Sequence, residues 1–327
     1  MDFDLTEDQK EIKNVARELL TARSPWARVR QAAEAAVYDD ALWKEIVELG
    51  WPGIAVAESY GGQGLGAVEL AVLLEELGYA CAATPFLSTA VAAAAIQAAG
   101  TEEQRQRWLP GLASGELTAG VGGPDLVVDG HGADVVVLID DEGARLLASP
   151  EASVIQTIDS TRRFATVQGE GEPLSGDAAD RILTAVAAEV VGVSQRALEM
   201  TLDYVKDRKQ FGVPVGSFQA VAHRCAQMLL HTESVRSAAY YAAWAADAEP
   251  TRFGEAAALA AAAAATAARE VPASAIQAHG GIGFTWEADV HWLYKRGEVD
   301  RALLGGSKRH HAVLARAAAQ RVAVPAS

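Results

Sequence analysis

Two short stretches carry residue types suited to holding an anion. In 208–219, "RKQFGVPVGSFQ", Arg208 offers a fork of donors, Phe211 an aromatic face and Gln219 an amide that can read polar edges. In 277–281, "QAHGG", Gln277 precedes Gly280 and Gly281, adjacent glycines that let backbone N–H groups approach a bound group closely. A plainer reading stands beside each one. An Arg followed by Phe-Gly-x-Pro can be a helix cap and turn, and Gly-Gly-x-Gly is common in loops. "KRHH" at 308–311 puts two histidines on adjacent helical positions that do not face each other. His223 and His279 read as packing or hydrogen-bonding residues, so no metal centre is expected.

The elements that must position these residues follow from periodicity. Over 1–116 apolar residues recur at helical spacing in 5–20, 39–50, 67–80 and 88–100, with glycines at 50, 78 and 100 where a helix should stop. "TEEQRQRWLPGLASGE" opens with a capping box, Thr101 to Gln104, and closes at Pro110 and Gly111. Over 117–180 the chain turns to short β-rich runs, "ADVVVLID", "ARLLA" and "FATVQG", which predict a small sheet of some four or five strands leaning on the helices. Over 181–327 helical periodicity returns in 181–207, 218–247, 252–278, about 287–297 and 307–322, joined by short connections as in an antiparallel bundle. The expected fold is therefore mainly α, with a helical N-terminal domain, a small central β domain and a C-terminal helical bundle.

Composition narrows the function. Half of the 327 residues are apolar, enough for a sizeable core, and 28 Lys and Arg against 43 Asp and Glu give a formal charge of -15. No basic cluster suggests nucleic acid as a partner. The N-terminus lacks an apolar segment of the signal-peptide type, and the alanine runs are too short and too weakly apolar for a membrane span of roughly 20 residues. Cys81 and Cys225 lie far apart and read as buried thiols in a reducing cytoplasm.

The chain resembles the acyl-CoA dehydrogenase family over nearly all its length. The resemblance rests on "MDFDLTEDQ", "ELGWPGIAVAESYGGQGLG", "QRWLPGLASGE", "VGVSQRALEMTLDYVKDRKQFGVPVGSFQAVAHRCAQM" and "AIQAHGGIGFTWEADVHWLYKR", in the family's order. It implies FAD as cofactor and removal of a proton and a hydride from the α and β carbons of an acyl-CoA thioester. It also implies that Arg208, Phe211, Gln219, Gln277, Gly280 and Gly281 hold the diphosphate and adenine end of a flavin bound to a neighbouring subunit.

Other family features are missing. Relatives hold the isoalloxazine ring with a Leu-Thr-Glu-Pro type loop and a Trp-containing strand; here the matching stretch is "LTAGVGGPDLVVDG" (117–130), and no Trp lies between Trp108 and Trp244. The family's base sits in a Tyr-Glu-Gly-Thr type turn, which here reads "LGGS" with Gly305 in the Glu position. A second family location for the base falls on Ile182 and Leu183. Asp180, Glu189, Glu298 and Asp300 are the nearest acids, and each reads more simply as solvated, as helix-start charge or as the partner of an Arg. The resemblance thus implies a subunit with no catalytic carboxylate of its own, working in an α2β2 heteromer with a homologous subunit. Electron-transfer flavoprotein is the implied acceptor. Heteromeric relatives in actinobacterial sterol degradation suggest a steroid side-chain thioester as substrate. Two alternatives remain: a homotetrameric enzyme with an unconventional base, and a structural or regulatory relative that binds neither flavin nor CoA.

Overall fold

The computed structural model describes residues 4–140 and 143–323; the first three residues of the opening motif and residues 324–327 fall outside it. Six helices build the N-terminal part: α1 Glu7–Arg23, α2 Trp26–Ala35, α3 Asp40–Glu48, α4 Ala67–Tyr79, α5 Phe86–Ala99 and α6 Glu102–Ser114. Reciprocal capping boxes start α1 (Thr6 with Gln9) and α6 (Thr101 with Gln104), the second as expected from sequence. Pro110 does not end α6. It sits on the exposed face, where the carbonyl it leaves unbonded meets water, and the helix runs on to a left-handed Gly115. The helix α2 has no counterpart in the sequence reading. Its buried residues are only Val29, Ala32 and Ala33, too sparse an apolar stripe to stand out.

Gly78 was expected as a stop, but it lies within α4 and serves a close approach. A Cβ there would come within 2.3 Å of the Glu189 carbonyl on α7 (Ala178–Asp207). Gly192 on α7 returns the contact, since a Cβ on it would fall 1.8 Å from the Glu75 carbonyl of α4. The two helices cross with their backbones almost touching, which only glycine permits.

The central sheet has seven strands instead of the four or five expected, in the order β5-β6-β2-β1-β3-β4-β7. They are β1 Ala119–Gly123, β2 Leu126–Val128, β3 Val135–Asp140, β4 Gly143–Ala148, β5 Glu151–Ile155, β6 Phe164–Gln168 and β7 Glu172–Leu174. Among the described residues only the β1 and β3 pair is parallel. The unforeseen strands are short, and β1 is glycine-rich, so neither length nor alternation marks them. Alternation in β3 shows how the sheet leans on the helices: Val135 and Val137 join the main core, while Val136 and Leu138 pack into a small outer cluster with Val127, Leu147 and Val167.

The C-terminal part holds α7, α8 Gln219–Ala248, α9 Pro250–His279, α10 Val290–Leu303 and α11 Ser307–Ala323. The helix α9 packs against the other four. Ala257, Ala260, Ala261, Ala264 and Ala268 are fully buried on it, and their small side chains let five axes converge. A short hairpin, β8 Lys209–Gln210 with β9 Val213–Pro214, joins α7 to α8. Among the described residues no helix is long and apolar enough to cross a membrane.

Candidate functional site

The anion-suited residues collect at one end of the bundle. Tyr204, one turn before the end of α7, stacks on His279, the last residue of α9, with ring centroids 4.4 Å apart. That contact brings the Arg208 hairpin beside the glycines that follow α9. The Arg208 backbone is fixed, its N–H donating to the Tyr204 carbonyl and its carbonyl accepting from Val215 N–H. The side chains of Arg208, Gln219 and Gln277 are exposed, and none bonds another residue among those described.

Local conformation makes this end open. Phe211 and Gly212 form the hairpin turn with φ of 51° and 82°, a pairing that suits strand twist but costs roughly 1–2 kcal/mol at a residue with a side chain. The Phe211 ring is 94% exposed and meets only Phe218 edge-on. Gly280 has φ 66°, and a Cβ on Gly280 or Gly281 would touch nothing within 4 Å. No packing among the described residues explains the glycine at 281. An approaching anion would, and these residues fit the diphosphate end of a dinucleotide.

Next to these residues lies an indole cluster. Trp286 is 73% exposed, His291 meets its ring edge-on with centroids 4.9 Å apart, and Lys295 Nζ lies 4.0 Å from the Trp286 centroid and 4.2 Å from that of Trp292. Burial, and then the Lys295 charge, push His291 down to about 4.

The other candidate positions surround a cavity of about 230 Å³. Its wall combines the β1–β2 hairpin, the α7 face carrying Ala179, Ile182, Leu183 and Val186, and the turn from Leu303 through Gly305 to Arg309. Gly305, the pair Ile182 and Leu183, and the stretch matching the ring-holding loop thus share one space. Among the described residues the acid on that wall is Asp125, exposed in the β1–β2 turn. Among the described residues no aromatic side chain lines it. Gly305 and Gly306 have φ of 70° and 73°, and their N–H groups close α10 on the Ala302 and Arg301 carbonyls. His310 is 2% exposed and its ring bonds the Leu304 carbonyl at 2.7 Å, which pins the turn.

None of the four nearby acids lines this cavity. Glu189 and Asp300 belong to a buried ion network instead, neither solvated nor free. Arg296, 0% exposed, donates to Asp159 at 2.7 Å and to Glu189 at 3.0 Å; Arg162 donates to Asp300 at 3.0 Å and also pairs with Glu189. Two guanidinium groups face three carboxylates. Burial, and next the Glu189 charge, push the Asp300 carboxyl well above the usual range. Asp159 goes the other way: burial alone would raise it, but the adjacent Arg296 brings it below the ordinary carboxylate value. Glu298 pairs with Arg301 at 3.4 Å, and Asp180 is held on the α9 side, 3.3 Å from where a Gly254 Cβ would stand. The sequence reading passed over Arg162, Arg296 and Arg309, because an isolated Arg carries no spacing signal.

Comparison with known proteins identifies relatives over nearly the whole chain. Residues 6–116 match the model of the acyl-CoA dehydrogenase N-terminal domain, and residues 179–319 that of the acyl-CoA dehydrogenase C-terminal domain. Acyl-CoA dehydrogenase IpdE2 of Mycolicibacterium smegmatis is 34% identical over 92% of this chain and 96% of that protein. A solved structure described as the Tcur3481-Tcur3483 steroid ACAD G363A variant superposes with a TM-score of 0.87 at 29% identity, covering 97% of this chain and 99% of that one. The ChsE4-ChsE5 complex from Mycobacterium tuberculosis superposes with a TM-score of 0.86 at 26% identity, over the full length of both chains.

Proposed function

The chain belongs to the acyl-CoA dehydrogenase family, whose cofactor is FAD, and from that premise we propose that it is the non-catalytic subunit of a heteromeric acyl-CoA dehydrogenase. In this reading it holds the diphosphate and adenine end of a flavin whose ring lies in a homologous partner, and the partner supplies the carboxylate. One observation carries the proposal. Leu183 on the cavity wall and Arg208 at the anion-suited end are separated by most of α7, about 37 Å at ~1.5 Å per residue, farther than an extended dinucleotide reaches. Arg208 and the cavity therefore serve different ligands, and an exposed Arg208 with no partner among the described residues suits a second subunit's.

The chemistry divides accordingly. The flavin, when bound, accepts the hydride from the β carbon. Arg208 forks the diphosphate, Gln219 and Gln277 take polar edges of the nucleotide, Gly280 and Gly281 offer backbone N–H groups, and Phe211 covers the nucleotide from water. Removal of the α proton needs a base beside the thioester, and here that position holds Gly305, Ile182 and Leu183. Pairing with a homologous subunit as α2β2 is supported by likeness to a complex of two named chains, and steroid side-chain thioesters as substrate by likeness to a steroid ACAD. Electron-transfer flavoprotein fits as the acceptor, and two buried, unpaired cysteines fit a reducing cytoplasm.

The test is to express the chain alone and together with the product of an adjacent acyl-CoA dehydrogenase gene, then measure flavin content and mass. Flavin retained only by a mixed tetramer is the expected result. A full complement of flavin and thioester oxidation by the chain alone would overturn it, and a colourless protein in both cases would leave the structural relative standing instead.

A further inference from the structure

The cavity beneath Gly305 has a character that loss of a base does not explain. Its wall is aliphatic, with Val121, Ile139, Ile182, Leu183, Val186 and Leu303, and a guanidinium stands over its turn. Arg309 Cδ and Nη1 lie 3.2 Å and 3.4 Å from where a Cβ on Gly305 would be. Among the described residues Arg309 pairs with no carboxylate. Asp125 shares the lining but is exposed on its own turn, outside ion-pair distance of Arg309. A cation thus replaces an anion at the mouth of an apolar space.

We propose that this cavity is a binding site for a small apolar carboxylate. The hydrocarbon lies against Ile182, Leu183 and Val186, and Arg309 takes the carboxylate through two parallel N–H···O bonds. At about 230 Å³ the space exceeds the ~150 Å³ apolar cavity known to hold benzene, so a body of about eight carbons fits. Burial of the chain provides affinity, and the guanidinium selects for charge over a neutral head of the same shape. The site needs no flavin and stands whether or not the heteromer reading does.

Octanoate is titrated calorimetrically into the purified protein, both by itself and in its flavin-loaded assembly with flavin absorbance followed, with octanamide as the neutral control. Octanoate should bind without disturbing the flavin spectrum, and octanamide about tenfold or more weakly. Arg309→Gln should bring octanoate down to the octanamide level, and Arg309→Lys should restore part of the difference. Leu183→Trp should abolish binding of both. Because Arg309 is exposed, its substitutions leave the core intact, so a null result there is informative even where Leu183→Trp folds poorly. Equal binding of octanoate and octanamide, binding unchanged by Arg309→Gln, or a flavin spectrum that shifts in step with octanoate would each overturn the proposal; flavin stoichiometry, read separately, reports on the heteromer.

Discussion

The two ends of α7 present opposite chemistry. At its C-terminal end Arg208, Gln219 and Gln277 are exposed and unbonded among the described residues, beside glycines with open space above them. At its N-terminal end Ile182 and Leu183 face an aliphatic cavity. The proposed heteromer accounts for both, with a ligand from outside for the polar groups and chemistry done in the partner for the apolar wall. On the proposed reading the contrast means that binding and catalysis can be lost separately, because they draw on residues far apart on the same helix.

The largest expected effect breaks the cavity end from below. Arg296→Met strips the partner from Asp159 and Glu189 in a fully buried setting and should cost about 3–5 kcal/mol, read as a fall in denaturation midpoint. A loss under about 1 kcal/mol would mean that the network does not hold α10 and the Gly305 turn in place. At the other end, Arg208→Ala removes the charged fork and should lower flavin retention by the complex about 10- to 100-fold with little change in melting temperature. Unchanged flavin content and activity would erase the distinction between the two ends.

Acid and base should separate the ends by sign. Asp300, on the cavity side, is protonated in the fold above the pH at which it ionises in the unfolded chain. Its contribution is complete below about pH 4 and declines as pH rises, and Asp300→Asn should keep the fold while flattening that decline. His291, beside the exposed Trp286, stays neutral in the fold down to about 4 while the unfolded chain charges it near 6.5. Its contribution is complete above that value and lost as pH falls towards 4, so His291→Gln should remove the acid-side loss. Thermal melts of both variants between pH 4 and 8 decide the matter; parallel curves would show that neither group is linked to folding. The smallest effect is expected from Gly305→Glu. The left-handed backbone costs roughly 1–2 kcal/mol for a side chain, and Arg309 stands ready to pair the new acid, so no gain in thioester oxidation should follow. A measurable gain would mean that the cavity lacks nothing but a base.

Much of the architecture was readable from periodicity: the long helices α7, α8 and α9, the capping box at Thr101 and the change of character near residue 117 all carry strong local signals. Short glycine-rich strands such as β1 and the sparse helix α2 carry weak ones, and both went unseen. Gly78 shows a different limit, since a glycine near a helix end looks the same whether it stops the helix or admits another backbone.

By itself the sequence determined which residue types were present and absent: Arg208 and the glycines on one side, Gly305, Ile182 and Leu183 on the other. Only the tertiary structure decided which of them share a space. Gly305 and Leu183 lie far apart in the chain yet border one cavity, Glu189 and Asp300 turned out to be paired in the core, and Arg309 came to stand over an empty position. The physical reason is that composition and period act along the chain, whereas a charge's partner and a cavity's lining depend on how helices cross, which is set by contacts between distant residues.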